Sequence, residues 1–91
     1  MVQKSLKLSN ELTFNTVSLD YKRLVKALHD DKTMDLCLDL HHVTHCDSAG
    51  LALLIEATRL ARQCNKKLKI EHVPKEIYAL AEFCGVEAIL A

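Results

Sequence analysis

The sequence predicts a single α/β domain over residues 1–91, with a mixed four-stranded sheet and helices packed on one of its faces. Two observations support this fold class. Short segments in which apolar and polar residues alternate, as in strands, are interspersed with longer segments whose apolar residues recur every three or four positions, as in amphipathic helices. Along the chain these segments give the order β-β-α-β-α-β-α. Because strands joined through a helix favour parallel neighbours with right-handed crossovers, one sheet with helices on one side is the economical arrangement.

The first two strands are predicted to form a hairpin. Leu6 and Leu8 alternate with polar residues before a short polar turn, and Leu12 and Phe14 resume the alternation after it. An amphipathic helix follows, with Ser18 as its expected N-cap. The apolar residues on the inner face of this helix are expected to be Tyr21, Leu24, Val25 and Leu28.

The third strand and the second helix form the centre of the prediction. The segment 35–40 is predicted to be a strand, since its three leucines fall on one side and its polar residues on the other. The segment 41–46 is predicted to be a loop. A long helix then begins at Ser48 and ends near Cys64.

The last part of the chain contains one more strand and one more helix. Leu68, Ile70 and His72 alternate with charged residues and predict the strand. Pro74 suits the first position of a helix, where no amide donor is needed. Gly85 is expected to end this helix in the left-handed conformation, after which the final apolar residues pack back onto the domain.

Composition excludes several classes of function. Twelve basic and twelve acidic residues cancel, and only 4% of residues are aromatic, so a nucleic-acid binder is not expected. Two glycines are too few for the common nucleotide-binding motifs. No apolar run is long enough for membrane insertion, and the start of the chain has no secretion core. The four cysteines include no Cys-x-x-Cys pair and are predicted to be reduced, which indicates a cytoplasmic protein. No cofactor is expected.

The most informative segment is the expected start of the long helix. Asp47 and Ser48 stand where backbone N–H groups at the helix start lack a partner and can donate to a polar side chain, so either residue could serve as the N-cap. Alternatively, an exposed Ser48 could accept a phosphate, whose charge the helix dipole favours. Gly50 early in a helix is costly relative to alanine, which suggests that its exposed backbone is needed for a close approach.

The beginning of this helix is predicted to be apolar on two sides. At 100° per residue, one arc faces the sheet, whereas Leu51, Ala52 and Ile55 fall on or beside the opposite arc. Exposed apolar side chains that are grouped together suggest a site for a partner protein. The predicted partner-binding residues are His45, Cys46, Ala49, Leu51, Ala52 and Ile55, placed around Ser48.

The segment Asp47-Ser48-Ala49-Gly50-Leu51, between a strand and a long helix, resembles the Asp-Ser-x-Gly motif of STAS domains. The predicted order of elements is similar to that family over the whole chain. Within the family, segments 50–54, 60–61 and 77–81 are most similar to the small cytoplasmic subunit of the bacterial Mla phospholipid-transport ABC system. The resemblance implies a STAS fold.

The resemblance also implies a function without chemistry of its own. It implies an adaptor at the inner membrane that binds the ATPase of an Mla-type ABC transporter, and through it the permease, and supports the assembly or activity of the transporter. Ser48 stands where those subunits typically carry threonine. Serine is the phospho-acceptor of anti-sigma-factor antagonists. The alternative is therefore an antagonist of this kind, whose partner is an anti-sigma-factor kinase and which is switched by phosphorylation of Ser48.

Three other groups of residues are weaker candidates for a functional site. The loop His41–His45 contains three histidines next to Cys46, but adjacent imidazoles diverge on an extended chain and no second cluster completes a metal site. A hydrolase is not expected, because adjacent Asp47 and Ser48 cannot form the geometry of a catalytic triad. The basic segment 59–69 is typical of a solvated helix end, and acidic lipid headgroups or an acidic partner are its other possible contacts.

Overall fold

The computed structural model describes residues 2–90 and shows the α/β architecture that the sequence predicts. The helices and strands, in chain order, are β1 (Val2–Lys7), β2 (Glu11–Leu12), α1 (Val17–Leu28), β3 (Thr33–Asp39), β4 (His45–Cys46), α2 (Ser48–Gln63), β5 (Lys67–Glu71), α3 (Lys75–Phe83) and a final 3-10 helix, Glu87–Leu90. The short strand β4 lies in the segment that was predicted to be a loop.

The strands form two parallel sheets, and the predicted hairpin was wrong. The described strands are ordered β1-β3-β5 in one sheet and β2-β4 in the other, so the sheet is neither mixed nor four-stranded. The chain turns away after Leu8, which is itself buried. The backbone N–H and the hydroxyl of Ser9 both donate to the buried carboxylate of Asp20 on α1, the hydroxyl at 3.0 Å. These hydrogen bonds bind the turn to α1, and β1 and β2 do not form a hairpin.

The three-stranded sheet has one apolar and one polar face. Leu38 lies beside Leu6 on one side and Ile70 on the other, and α1 and α2 contact this sheet. The intervening residues, such as Ser5 and Lys69, are exposed on the opposite face. Because burial of the leucine row removes apolar surface from water, this pairing stabilises the arrangement of helices on one face.

The helix α1 differs from its prediction in two respects. It begins at Val17 and has Thr16 as its N-cap, two positions before the expected N-cap Ser18. Tyr21 was predicted on the inner face but is 39% exposed. Asp20 takes the inward position instead and is fully buried, because its carboxylate is satisfied by Ser9.

The end of the chain folds largely as predicted. Pro74 is the N-cap of α3 and stands one residue before the first helical position. His72 lies outside β5. Gly85 adopts a positive φ of 73° at the end of α3, and the following Val86 N–H donates to the Ala81 carbonyl at 2.8 Å. Leu90 is buried against the core.

Candidate functional site

Asp47 organises the junction between β4 and α2. Its backbone N–H donates to the Leu12 carbonyl at 3.1 Å, which continues the pairing of β2 with β4. One carboxylate oxygen accepts the Gly50 N–H at 2.9 Å and caps α2. The other accepts the Phe14 N–H at 3.1 Å. A single carboxylate therefore joins the start of α2 to the loop that follows β2.

These hydrogen bonds lower the pKa of Asp47 below its usual value, with the bond from Gly50 as the largest cause. A carboxyl group whose pKa is lowered on folding stabilises the folded state above its unfolded pKa, and this contribution is lost as the pH falls through the folded pKa. We expect Asp47→Ala to lower the free energy of unfolding at pH 7. The difference from the wild type should shrink as the pH falls below about 4, where the carboxyl of the unfolded chain becomes protonated while that of the folded chain stays ionised to lower pH.

Urea unfolding at several pH values measures this effect. Asp47→Asn is the matched control, because its amide oxygen still accepts the Gly50 N–H but carries no charge. A loss of stability for Asp47→Ala that stays constant from pH 7 to pH 3 would contradict the assignment to the carboxylate.

Gly50 is buried, and the close approach that it permits is to the chain's own backbone. A Cβ atom built on Gly50 would lie 1.9 Å from the Leu12 carbonyl oxygen. The expected close approach is therefore present, but the expectation that the Gly50 backbone is exposed was wrong. Within the motif, Gly50 allows α2 to pack directly on β2.

Ser48 is the first residue of α2, and its side chain is exposed. Since Asp47 provides the cap, the hydroxyl of Ser48 is not consumed by this structural role. A phosphate on Ser48 would sit at the positive end of the helix dipole, but directly beside the Asp47 carboxylate. Such a modification would make the start of α2 strongly negative.

The outer side of α2 is less apolar than predicted. Ala52 is exposed and Ile55 is 38% exposed, in agreement with the prediction. Leu51, in contrast, is only 3% exposed and belongs to the core, so its placement on the partner surface was wrong. The reason is that α2 contacts α1 and α3 as well as strands, and the side of α2 that carries Ile55 and Thr58 borders Ile89. The buried arc of α2 is therefore wider than that of a helix that packs only on a sheet, and it includes Leu51.

Two exposed aromatic residues flank this part of α2, and the sequence pattern missed both. Phe14, expected in a strand, lies in the loop bound by Asp47 and is 72% exposed. Tyr21 lines a shallow groove of about 410 Å³ between α1 and α2, together with Ala49 and Ala52. We define the Ser48 surface as the exposed or half-buried residues Phe14, Tyr21, Ser48, Ala49, Ala52 and Ile55.

The two residues of β4 border the Ser48 surface from the side of the sheet. His45 is exposed and Cys46 is half-buried. Burial, together with the neighbouring charge of Asp47, raises the pKa of the Cys46 thiol to about 11. The thiol is therefore protonated at neutral pH and is a poor nucleophile.

The histidines of the loop before β4 do not converge. The Nδ1 atoms of His41 and His72 lie 3.0 and 3.2 Å from one carboxylate oxygen of Asp39, whereas His42 turns away and donates from Nε2 to the Leu8 carbonyl at 2.6 Å. Residues 2–90 contain no group of three or more histidine, cysteine or acidic residues arranged to hold a metal ion. In the same part of the chain, every helix is too short or too polar to span a bilayer.

Comparison with known proteins identifies the family. Residues 2–91 match the family model described as "Mlab, STAS domain". The anti-sigma-B factor antagonist of Staphylococcus aureus (strain NCTC 8325 / PS 47) is 28% identical over 85 residues, which cover 93% of this chain and 78% of the relative.

Two solved structures have a similar fold. The anti-sigma factor antagonist SpoIIAA in its unphosphorylated form superposes on this chain with a TM-score of 0.76 at 13% sequence identity. The match covers 97% of this chain and 77% of the SpoIIAA chain. A sulfate transporter family protein from Wolinella succinogenes gives the same TM-score at 18% identity, with 98% and 71% covered. Since the family model spans nearly the whole chain and the fold agrees, this protein belongs to the STAS domain family.

Proposed function

We propose that this chain is a non-enzymatic adaptor that binds the cytoplasmic ATPase of an Mla-type phospholipid-transport ABC transporter. The Ser48 surface makes the contact, so the chain associates with the inner membrane through its partners. The observation that carries the proposal is the group of exposed apolar side chains around Ser48, in a chain that matches a STAS model described by the name Mlab. Binding stabilises the assembled or active state of the ATPase, which is a shift of population and not catalysis.

The arrangement of the surface suits protein docking. Phe14, in the loop bound by Asp47, and Ile55, on α2, are exposed large apolar side chains, and Tyr21 adds an aromatic ring at the groove. Aromatic and aliphatic anchors at the centre of an interface commonly supply most of its binding energy. His45 and Cys46 are then rim residues of the same contact.

Copurification tests the proposed partner. A tagged chain expressed at its natural level is expected to recover an ABC ATPase and its permease, identified by mass spectrometry. Recovery of a serine kinase together with a sigma factor, without the ATPase, would contradict the proposal.

A second candidate function is an anti-sigma-factor antagonist that is switched by phosphorylation of Ser48. The relative from Staphylococcus aureus and the exposed position of Ser48 at a helix start favour it. For an antagonist, incubation with cell extract and ATP should add about 80 Da to the intact mass, and Ser48→Ala should abolish this gain.

For the adaptor, we expect no change in mass under these conditions. Ser18, which lies exposed on α1, gives the control variant Ser18→Ala. A gain of mass in the wild type that survives Ser48→Ala but not Ser18→Ala would contradict the assignment of Ser48 as the acceptor.

A further inference from the structure

A second recess lies between the edge strand β1 and the helix α1. Its volume is about 430 Å³, and it shares no lining residue with the groove at the start of α2. The lining residues are Lys4, Leu6, Arg23, Lys26, Ala27 and Asp30. Three cations therefore converge on a recess that also contains the apolar side chains of Leu6 and Ala27.

The position of Lys4 is unusual for its environment. In the parallel register, Lys4 lies beside Leu36, which lies beside Leu68. The same face carries the row of Leu6 and Leu38, two residues further along each strand. Alternation therefore predicts an apolar residue at position 4, and a lysine there departs from the pattern of the fold. Departures of this kind are expected mainly at functional positions.

Arg23 is held in place before any ligand arrives. One of its terminal nitrogens donates to the Lys7 carbonyl at 2.6 Å, and the other lies 3.5 Å from the buried carboxylate of Asp20. Asp20 is itself fixed by the Ser9 hydroxyl. Since the guanidinium is anchored from two sides, little side-chain entropy is lost when it binds an anion.

Lys4 and Lys26 supply positive charge to the recess, because the charge of Arg23 is partly balanced by Asp20. Both Lys4 and Lys26 are exposed, and neither takes part in an ion pair among residues 2–90. Asp30 is the acidic residue of the recess, and its carboxylate accepts the Lys32 N–H at 3.0 Å. Since Lys4, Arg23 and Lys26 outnumber this one carboxylate, the lining of the recess has an excess of positive charge.

We propose that this recess binds the phosphate group of a small organic phosphate. The ammonium groups of Lys4 and Lys26 and the guanidinium of Arg23 contact the phosphate oxygens, and Leu6 with Ala27 packs against the carbon portion. Charged donors of this kind form the stronger hydrogen bonds with phosphate. The phosphate could come from a soluble compound or from a phospholipid headgroup, and the site is independent of the proposed partner of the Ser48 surface.

Titration of the isotope-labelled chain tests the site by NMR. At constant ionic strength, glycerol 3-phosphate and glucose 6-phosphate are expected to shift the amide signals of Lys4 and of residues 23–30. Sedimentation with vesicles of phosphatidylglycerol or phosphatidylcholine tests the headgroup separately. Binding of either soluble compound supports a soluble ligand, and binding of phosphatidylglycerol vesicles alone supports a headgroup; both support the site.

Matched variants distinguish the recess from general attraction of anions. Lys4→Gln and Lys26→Gln are each expected to raise the Kd about tenfold. Lys22→Gln removes the same charge from an exposed position of α1 outside the recess and should change the Kd less than about twofold. The proposal is overturned if neither phosphates nor vesicles bind, or if Lys22→Gln weakens binding as much as Lys26→Gln. Unchanged amide spectra of the free variants show that the fold is intact.

Discussion

Replacement of Gly50 by alanine is expected to lower the free energy of unfolding by about 3 kcal/mol or more. The added methyl group would lie 1.9 Å from the Leu12 carbonyl oxygen and 2.7 Å from the Leu12 Cβ. The carbonyl cannot rotate away, because it accepts the Asp47 N–H that pairs β2 with β4. Either α2 must move off β2 or this pairing must break.

The direction of the effect is informative, because helix propensity alone predicts the opposite sign. An alanine in place of a helical glycine would stabilise the protein by about 0.5–1 kcal/mol if nothing opposed it. Urea unfolding measures the difference. Gly85→Ala is the matched control: nothing lies within 4 Å of its added Cβ, so only the positive φ of 73° opposes it, at a cost of about 1–2 kcal/mol. A stabilised Gly50→Ala variant would contradict the close packing of α2 on β2.

Replacement of Ile55 by aspartate is expected to weaken binding of the partner ATPase at least about 30-fold. Ile55 is 38% exposed on the outer side of α2, so a carboxylate there remains solvated in the free chain. In the complex it would be buried without a partner, which is costly. Stability of the free chain should change by less than about 1 kcal/mol.

Isothermal titration of the purified ATPase with each variant measures this loss. Phe83→Asp introduces the same charge at a 90% exposed apolar residue of α3, outside the Ser48 surface, and should leave the affinity unchanged. If Ile55→Asp unfolds the domain, Ile55 is a core residue. If Phe83→Asp weakens binding equally, the ATPase docks elsewhere.

The sequence predicted the helices and the central strand well, because their apolar spacing records burial directly. Leu36, Leu38 and Leu40 are buried as the alternation requires, and Gly85 ends α3 as expected. The pairing of the first strands could not be predicted in the same way. A polar turn between two alternating segments is typical of a hairpin. Contacts with residues outside these segments, such as the bond of Ser9 to Asp20 and the pairing of β2 with β4, direct the chain elsewhere.

The exposure of the α2 residues in the candidate site was predicted correctly only in part, because it was also inferred from apolar spacing. Projection at 100° per residue places Ala52 and Ile55 correctly, because they lie opposite the sheet. The same projection fails for Leu51, since it ignores the packing of neighbouring elements beside α2. Phe14 was missed because its proximity to Ser48 depends on a hydrogen bond to Asp47, 33 residues away in the sequence.

Site-specific photocrosslinking in cells tests whether the Ser48 surface contacts the ATPase of an ABC transporter. The crosslinker benzoylphenylalanine is placed at position 55, on the Ser48 surface, or at position 83, on the exposed side of α3. We expect position 55 to capture the ATPase of an ABC transporter and position 83 not to capture it. Capture of a sigma-factor-binding serine kinase from position 55, or of the ATPase from position 83 alone, would contradict the proposed adaptor function.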